Sequence, residues 1–460
     1  MKAARSQRTA VGRRASMQPA RAGVQAAPRV RRCQDPGSSV RPAHSSCRRA
    51  LVPSWMARAR SKVSEPLEDL TQGVGEAVPG EQVLIPFYKY QGLGNDFVCI
   101  DNRHSSEPMF TASEGAAMCD RNFGIGADGV IFLMPAPDLD APSSPFAGVL
   151  DASDGPFDYG MRMYNSDGSE PEMCGNGIRC LARFACELEC ADADAAGEAL
   201  PSLPRSFRFA TLAGAIVPDV HANGQVSVDM GEPRLQAHEV PTTLENTTDE
   251  DGGAVVLAHL EVGGDLDAEP SPEEMFMPYE ERMSRVLERT QKGRVKEHFL
   301  VTCVSMGNPH CVTFGRPGAE TLGGVLDIDA LDVDFFGPAM ETHEAFPEKI
   351  NVHFCATIYE DPDSTEDLTD AVRVVHWERG AGRTLACGTG ACSVVVAGVL
   401  EGRLKQKCMV YVPGGPLMIE WRKATDNKVI MTGPAELVYK GFLPAVDVSK
   451  PTPGEEPTEE

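Results

Sequence analysis

Two short phrases of the same form, one in each half of the chain, place a cysteine beside a glycine-rich turn. They are Cys174-Gly175-Asn176-Gly177 and Cys387-Gly388-Thr389-Gly390. Each phrase leads into an apolar run that is compatible with a helix, so each thiol would lie at a helix N-terminus. There the unpaired N–H groups and the helix dipole favour the thiolate and lower the pKa of the thiol. The same N–H groups can bind a carboxylate.

Two such turns that face each other would hold one carboxylate between two sulfur atoms. Removing the α-proton of an amino acid requires an accurately placed base and fixed dipoles that stabilise the developing negative charge. Inverting the carbon also requires a second group on its opposite face that donates a proton. A thiolate and a thiol meet both needs without a metal or a cofactor, provided that the site excludes water.

The elements that position these turns are two apolar helices. Residues at helical spacing follow the first turn: Ile178, Leu181, Ala182, Ala185 and Cys186. After the second turn, Val394-Val395-Val396 taken alone suggests a strand, but the parallel with the first turn favours a helix. A short helix that is apolar all round belongs in the middle of a domain. We therefore predict an α+β fold with two pseudo-symmetric domains, each a β-sheet wrapped around a central helix.

Composition and pattern divide the chain into successive segments. Residues 112–120 are predicted to form a short helix with Ser113 as a candidate N-cap. The predicted segments are a disordered transit peptide (1–64), a linker (65–82), an N-terminal domain (83–228) with a returning C-terminal strand (438–446), a C-terminal domain (229–437) with an acidic insertion (243–295), and a disordered tail (447–460).

The first 64 residues differ sharply in charge from the rest of the 460-residue chain. They hold fifteen Lys or Arg and one acid, Asp35, whereas the remaining residues hold 28 bases and 66 acids. A basic, Ser- and Pro-containing leader is typical of an organelle transit peptide, with a basic nucleic-acid-binding tail as the alternative. We favour import into the chloroplast stroma over a mitochondrial location because of the Ser and Pro content.

The acidic body argues against a nucleic-acid or anionic-membrane partner. No run of eighteen apolar residues is present, so no membrane helix is expected. The fourteen cysteines include no Cys-x-x-Cys pair, so no zinc site or other metal site is predicted. The cysteines expected to be ordinary buried apolar residues are Cys99, Cys119, Cys303, Cys311, Cys355 and Cys408.

Seven blocks in sequence order resemble diaminopimelate epimerase, a cofactor-independent epimerase of lysine biosynthesis. The amino-acid sequence of these blocks is most similar to the plant or cyanobacterial branch of that family. The blocks are YQGLGNDFVCID (90–101), DRNFGIGADG (120–129), YNSDGSEPEMCGNGIRC (164–180), SMGNPHCV (305–312), FPEKINV (346–352), ERGAGRTLACGTGAC (378–392) and VPGGPLMIEW (412–421).

The resemblance implies a small-molecule substrate, LL-2,6-diaminopimelate, which is converted to the meso isomer with no cofactor. Cys174 and Cys387 match the two catalytic cysteines, while His310 and Glu378 match residues that support the site and the proton chemistry. The turns that grip the reacting carboxylate match Gly175, Asn176, Gly388 and Thr389. Side chains that bind the zwitterionic substrate match Asn95, Asn165, Asn308, Asn351, Glu378 and Arg379, of which Arg379 would bind the distal carboxylate in a bidentate fork.

The chain departs from the family pattern at two positions. Many bacterial relatives have glutamine at Gly129, and Arg383 stands where bacterial members often have Glu. Other interpretations stay open at this point: a racemase similar to proline racemase, a redox sensor with a Cys174–Cys387 disulfide, or a binding module without catalysis. Asn95 and Asn176 could serve only as turn residues, and His310 could be a hydrogen-bonded core histidine. A homodimer is a candidate assembly.

Overall fold

The structure is a computed structural model that describes residues 84–444, except for 140, 142–143, 147, 151–153, 249–252, 265–294, 316–325 and 360–367. The predicted transit peptide, linker and C-terminal tail lie outside the described residues, as do Val83, residues 445–446 and the 265–294 part of the predicted insertion.

The first sheet carries the N-terminal part of the described chain. Its strands are β1 (Leu84–Gly92), β2 (Asn95–Asp101), β3 (Gly129–Met134), β4 (Tyr159–Asn165), β6 (Phe209–Thr211), β7 (Gly214–Ile216) and β19 (Glu436–Pro444). Their order across the sheet is β19-β1-β2-β3-β4-β6-β7. β19 runs antiparallel to β1, with Leu84 opposite Pro444. The last described strand of the chain therefore forms an edge of the first sheet.

The second sheet is larger and is mostly C-terminal. Its strands are β5 (Arg205–Ser206), β8 (Asp219–Val220), β9 (Gln225–Asp229), β10 (Ala258–Gly264), β11 (Val295–Ser305), β12 (Pro309–Gly315), β13 (Asn351–Ile358), β14 (Thr369–Glu378), β15 (Gly382–Thr384), β16 (Leu404–Val412), β17 (Gly415–Trp421) and β18 (Val429–Pro434). Their order is β10-β11-β12-β13-β14-β16-β17-β18-β9-β8-β5, with β15 paired to β14.

Two long helices lie inside these sheets, as predicted. The helices are α1 (Ala112–Cys119), α2 (Gly175–Ala196), α3 (Val333–Glu341) and α4 (Gly388–Leu400), and Ala237–Glu239 forms a 3-10 turn. α2 packs in the core of the first sheet and α4 in a core made by the second. The α+β prediction of two sheets that each surround a central helix is confirmed.

α4 is helical despite its three consecutive valines. Val394, Val395 and Val396 have no exposed surface and contact side chains of several strands of the second sheet. Burying a valine contributes about 1.5–3 kcal/mol, which exceeds the few tenths by which valine disfavours a helix. Tertiary packing therefore decides the conformation.

The helix α1 begins one residue before the predicted cap. Thr111 is the N-cap, and its hydroxyl accepts from the Glu114 N–H while the Glu114 carboxylate accepts from the Thr111 N–H. This reciprocal capping box satisfies two N–H groups at once, which Ser113 cannot do. The Ser113 prediction was wrong for that reason.

β9 links the two halves. It pairs with β18 in the second sheet, while its Val226 and Val228 belong to the core around α2. The domain boundary predicted between residues 228 and 229 thus falls within a strand that both halves use. The domain limits themselves stay a prediction.

Candidate active site

Both Cys-Gly-x-Gly turns line one cavity of about 920 Å³. The cavity lies between the N-termini of α2 and α4, which begin directly after Cys174 and Cys387. Ten of the predicted site residues line it: Asn95, Asn165, Cys174, Gly175, Asn176, Asn308, Glu378, Cys387, Gly388 and Thr389. The structure therefore brings the two turns, 213 positions apart in the chain, to the same site.

Three predicted site residues do not line this cavity. His310 is fully buried, and its ring nitrogen contacts Asn308. Asn351 is also buried; its amide donates to the Pro309 carbonyl, and its Oδ1 accepts from the Arg379 N–H at 2.9 Å. The Arg379 side chain is exposed and donates to the Glu348 carbonyl. Asn351 therefore positions main chain next to Glu378.

Each cysteine is the N-cap of its helix. The Cys174 sulfur accepts from the Gly177 N–H at 3.4 Å, whereas the Cys387 sulfur lies 3.6 Å from the Thr389 hydroxyl and has no such cap bond. Met431 of β18 lies beside both turns: a Cβ added to Gly175 or Gly388 would come within 3.3 Å or 3.2 Å of its side chain. Glycine at these positions leaves room for that methionine between the helix ends.

The pKa values of the two thiols are raised, whereas the sequence predicted that they would be lowered. Burial raises the pKa of Cys174, and the N–H groups of Gly177 and Asn176 and the charge of Arg179 only partly offset this. Burial also raises the pKa of Cys387 well above its usual value, and the Glu378 carboxylate raises it further. The prediction of lowered thiol pKa values was wrong, because desolvation of the thiolate outweighs the helix N-terminus.

A chain of polar side chains forms the wall beside Cys174. The Asn176 amide donates to Asn95 Oδ1 at 3.1 Å, and the Asn95 amide donates to Asp128 at 2.6 Å. Arg121 donates to the other oxygen of Asp128 at 2.7 Å. Asn95 and Asn176 therefore orient each other, which goes beyond a role as turn residues.

Arg179 is the innermost member of this row of hydrogen-bonded polar side chains. Its guanidinium is fully buried and donates to Asn176 Oδ1 at 2.8 Å and to the Gly175 carbonyl at 3.3 Å. Within the described residues, no carboxylate lies at ion-pair distance from it. The Cys174 turn is thus held by a buried positive charge one helical turn away.

The wall beside Cys387 carries a negative charge instead. Glu378, the last residue of β14, lines the cavity and accepts a hydrogen bond from the Thr384 hydroxyl. Asn308 lines the same wall, in the loop between β11 and β12. The Glu378 carboxylate raises the pKa of both thiols, but it is second only to burial at Cys387, whereas Arg179 offsets it at Cys174.

Comparisons with known proteins point to one family. The diaminopimelate epimerase sequence profile matches residues 87–236 and 302–438. The chain is 45% identical over 360 residues to "Diaminopimelate epimerase" of Microcystis aeruginosa, covering 78% of this chain and 99% of that protein. It is 46% identical over 355 residues to "Diaminopimelate epimerase, chloroplastic" of Oryza sativa subsp. japonica, covering 77% of this chain and 79% of the relative.

The chain belongs to the diaminopimelate epimerase family. It is accordingly an isomerase. Among solved structures, it is similar to a hydroxyproline epimerase from Agrobacterium vitis, with a TM-score of 0.42 and 12% identity over 79% of this chain and 93% of that one. It is also similar to methylitaconate-delta-isomerase, with a TM-score of 0.40 and 12% identity over 81% and 99%.

Two charged cavity residues escaped prediction although the family block DRNFGIGADG contains both. Arg121 and Asp128 line the cavity beside Asn95. The available signal was an acid and a base seven positions apart within this glycine-rich block. The hydrophobic side chain of Met431 carried no sequence signal of any kind.

The structure explains one of the two departures from the family pattern and places the other at the surface. A Cβ at Gly129 would lie 2.8 Å from the Tyr164 carbonyl, so the backbone of β4 leaves no room there for a glutamine. Asp128, its neighbour, faces the cavity instead. Arg383 is exposed and lies 3.5 Å from Asp334, and it does not line the cavity.

Three further observations concern the cysteines, the helices and the metal-binding side chains of the described residues. All twelve described cysteines are free, and the six expected to be buried apolar residues are buried. None of the described helices has the length and apolarity to cross a membrane. Within the same residues, no cluster of three His, Cys, Asp or Glu side chains is arranged to bind a metal ion.

Proposed function

We propose that this chain interconverts LL- and meso-2,6-diaminopimelate through Cys174 and Cys387. The observation that carries the proposal is that two cysteines cap two helices at one cavity. The family supports the substrate, because relatives of about 45% identity over nearly their whole length bear the name diaminopimelate epimerase.

In the proposed reaction, one sulfur begins as a thiolate and removes the α-proton, becoming a thiol. The electron pair of the broken C–H bond moves into the α-carboxylate, whose oxygens accept hydrogen bonds from N–H groups at the starts of α2 and α4. The second sulfur donates its proton to the opposite face of the carbon and ends as a thiolate. One C–H bond breaks and one forms, so no other reactant is consumed.

The charges beside the sulfurs support a division of roles in the resting site. The cation of Arg179 and two N–H groups favour the Cys174 thiolate. The Glu378 carboxylate disfavours both thiolates, and at Cys387 its effect and that of burial outweigh the Thr389 hydroxyl and the Gly390 N–H, so the pKa of Cys387 is raised further. We therefore assign the base at rest to Cys174 and the acid to Cys387. The roles are exchanged after each turnover and in the reverse direction.

The remaining polar residues are proposed to bind the substrate's amino-acid ends. Asn95, Asn165, Asn308 and Glu378 face the cavity and are available to the zwitterion. Arg379 is proposed to bind the distal carboxylate after the halves close over the substrate, since its guanidinium now donates to Glu348. Closure would also remove water from the sulfurs.

The proposal is tested by incubating the full chain with LL-diaminopimelate in deuterated water without pyridoxal phosphate. We expect the meso isomer to form with deuterium at one α-carbon. Cys174→Ala and Cys387→Ala should each lower the rate of epimerisation by about 10²–10⁴-fold, because each removes a general acid or base. Cys408→Ala, at a buried cysteine outside the cavity, is the matched control. Full α-deuterium uptake and epimerisation by Cys174→Ala would refute the proposal.

We also propose import into the plastid stroma. The support is the basic, acid-poor segment 1–64, together with the rice relative that is named chloroplastic. Residues 1–64 fused to a fluorescent protein should enter isolated chloroplasts and not mitochondria. Import by mitochondria alone would contradict this location.

A further inference from the structure

Three buried histidines continue inward from the cavity residue Asn308. They lie on the adjacent strands β12, β13 and β14, and none has exposed surface. His310 Nε2 is 2.9 Å from Asn308 Oδ1, and His310 Nδ1 is 2.8 Å from His353 Nε2. His353 Nδ1 is 2.8 Å from His376 Nδ1. The result is an unbroken hydrogen-bonded line, which we call the histidine chain.

All three rings of the histidine chain are neutral. Burial lowers the pKa of His310 and of His376 to about 3, and it lowers the pKa of His353 well below its usual value. A neutral imidazole has one N–H donor and one lone-pair acceptor. Each ring in the chain must therefore donate to one neighbour and accept from the other.

The direction of the histidine chain follows from its two ends. Asn308 Oδ1 can only accept, so His310 donates from Nε2, and its Nδ1 accepts from the Nε2–H of His353. His353 Nδ1 in turn accepts from the Nδ1–H of His376. This leaves a lone pair on His376 Nε2, which has no partner in the part of the chain that the structure describes.

The opposite direction is unfavourable at the buried end. It would place a hydrogen on His376 Nε2, where the described residues offer no acceptor. Buried N–H groups without an acceptor are rarer in proteins than acceptors that lack a donor, because an unpaired donor loses its full hydration. The orphaned nitrogen therefore selects the direction in which every ring donates towards Asn308.

That direction determines what Asn308 offers to a ligand. Its Oδ1 is engaged by His310, and its Nδ2 has no hydrogen-bond partner among the described residues. Since Asn308 lines the cavity, the free group is a two-hydrogen donor. A carboxamide turned the other way would present an acceptor and would favour an ammonium group.

We propose that His353 and His376 are positioning residues that act through His310 to hold the Asn308 carboxamide with its N–H₂ group towards the cavity, where it selects a carboxylate oxygen of the substrate. The identity of that carboxylate rests on the proposed function, whereas the hydrogen positions in the histidine chain do not. The ring of His353 also lies against the Cys387 turn, since a Cβ on Gly390 would come within 2.5 Å of it.

The hydrogen positions are tested on the full chain labelled with ¹⁵N-histidine, by long-range ¹H–¹⁵N correlation spectra near neutral pH. We expect hydrogens on Nε2 of His310 and His353 and on Nδ1 of His376. Signals are assigned from variants that lack one histidine each. Hydrogens on the opposite nitrogens, or a doubly protonated ring in the chain, would overturn the proposal.

A matched pair of variants tests the effect on binding. His376→Phe removes the donor to His353, whereas His376→Asn keeps an N–H donor close to the position of Nδ1. We expect His376→Phe to raise KM for diaminopimelate about tenfold with a smaller change in kcat. The reason is that the Asn308 carboxamide can then flip and present its oxygen to the cavity. His376→Asn should restore KM and the wild-type hydrogen on His353. Equal KM values for the two variants would refute the positioning role. The expected hydrogen positions in a chain without epimerase activity would refute the proposed function alone.

Discussion

The Cys174 and Cys387 turns share a sequence pattern and a helix N-terminus, but the charges behind them are opposite. A buried guanidinium, Arg179, lies one helical turn beyond Cys174. A carboxylate, Glu378, lies beside Cys387 and raises its pKa. The repeated motif therefore places two equivalent sulfurs at one cavity, and the residues outside the motif make them chemically different.

The supports of the two turns differ in the same way. Amide and charged side chains connect Asn176 to Arg121 beside the first turn. Beside the second turn, the support is the neutral histidine chain, buried in the second sheet. Four tests, described in order of decreasing effect, examine this difference.

We expect acid to weaken the fold through the histidine chain. Unfolded histidines bind protons below about pH 6.5, whereas burial lowers the pKa of His310 and His376 to about 3. Between these values the unfolded state binds more protons, so the free energy of unfolding falls as the pH falls. The loss is up to about 1.4 kcal/mol per pH unit for each histidine. Urea unfolding at a series of pH values measures this slope.

His376→Phe should remove one histidine's share of that slope. His104→Gln, which changes an exposed histidine in the first half, should leave the slope unchanged. An unchanged slope in His376→Phe would mean that this ring is already protonated in the folded chain.

The last glycine of each turn, Gly177 or Gly390, tests how tightly the two turns are packed. A Cβ at Gly390 would lie 2.5 Å from His353 Cε1 and 3.1 Å from the Cys387 sulfur. At Gly177, the nearest atom would be the flexible end of Ile131, at 3.1 Å. We expect Gly390→Ala to lower the free energy of unfolding by about 1–3 kcal/mol. Gly177→Ala should change it by less than about 1 kcal/mol, because alanine also favours the helix. Equal losses in denaturant unfolding would contradict this difference.

Alkylation by iodoacetamide tests the order in which the thiols ionise. Only the thiolate reacts, and the pKa of Cys387 is raised further than that of Cys174. Near pH 8, Cys174 should therefore react several times faster than Cys387. Peptide mass mapping over time gives both rates, with buried Cys408 as the unreactive reference. Glu378→Gln removes the negative charge and should accelerate Cys387. Faster alkylation of Cys387 in the unaltered chain would reverse the assignment of base and acid.

Arg179→Met tests the cation behind the first turn, and the effect should be the smallest. The charge of Arg179 lowers the pKa of Cys174, so its loss should slow the alkylation of Cys174, by a smaller factor than in the comparison of the two thiols. The rate at Cys387 should stay the same. Slowing of both thiols to the same extent would indicate a loss of packing in place of a loss of charge.

The pattern of apolar residues predicted the fold well, because these side chains are the ones that pack in the core. The repeated turn revealed a helix even where three valines favoured a strand, and the six cysteines that were predicted to be apolar core residues are buried. Residues named within the turns also reach the cavity. These predictions depend on local sequence and on burial, which one chain displays directly.

Properties that depend on distant partners could not be predicted in the same way. The pKa of Cys387 depends on burial and on Glu378, which comes from another strand. The position of the Arg379 side chain depends on the Glu348 carbonyl, 31 residues away. The histidine chain joins three strands, and only their register places the rings in contact. Sequence spacing contains none of these distances.

The pairing of β19 with β1 has a consequence for synthesis. The ribosome makes β1 long before its edge partner, Glu436–Pro444, because all the other described strands lie between the two in the chain. The nascent first sheet therefore has an unpaired β1 edge until β19 has been synthesised. Closing a loop of this length is slow, and an open strand edge can pair with other chains. The interval between the synthesis of β1 and that of β19 is therefore a period in which the nascent first sheet is open to association with other chains.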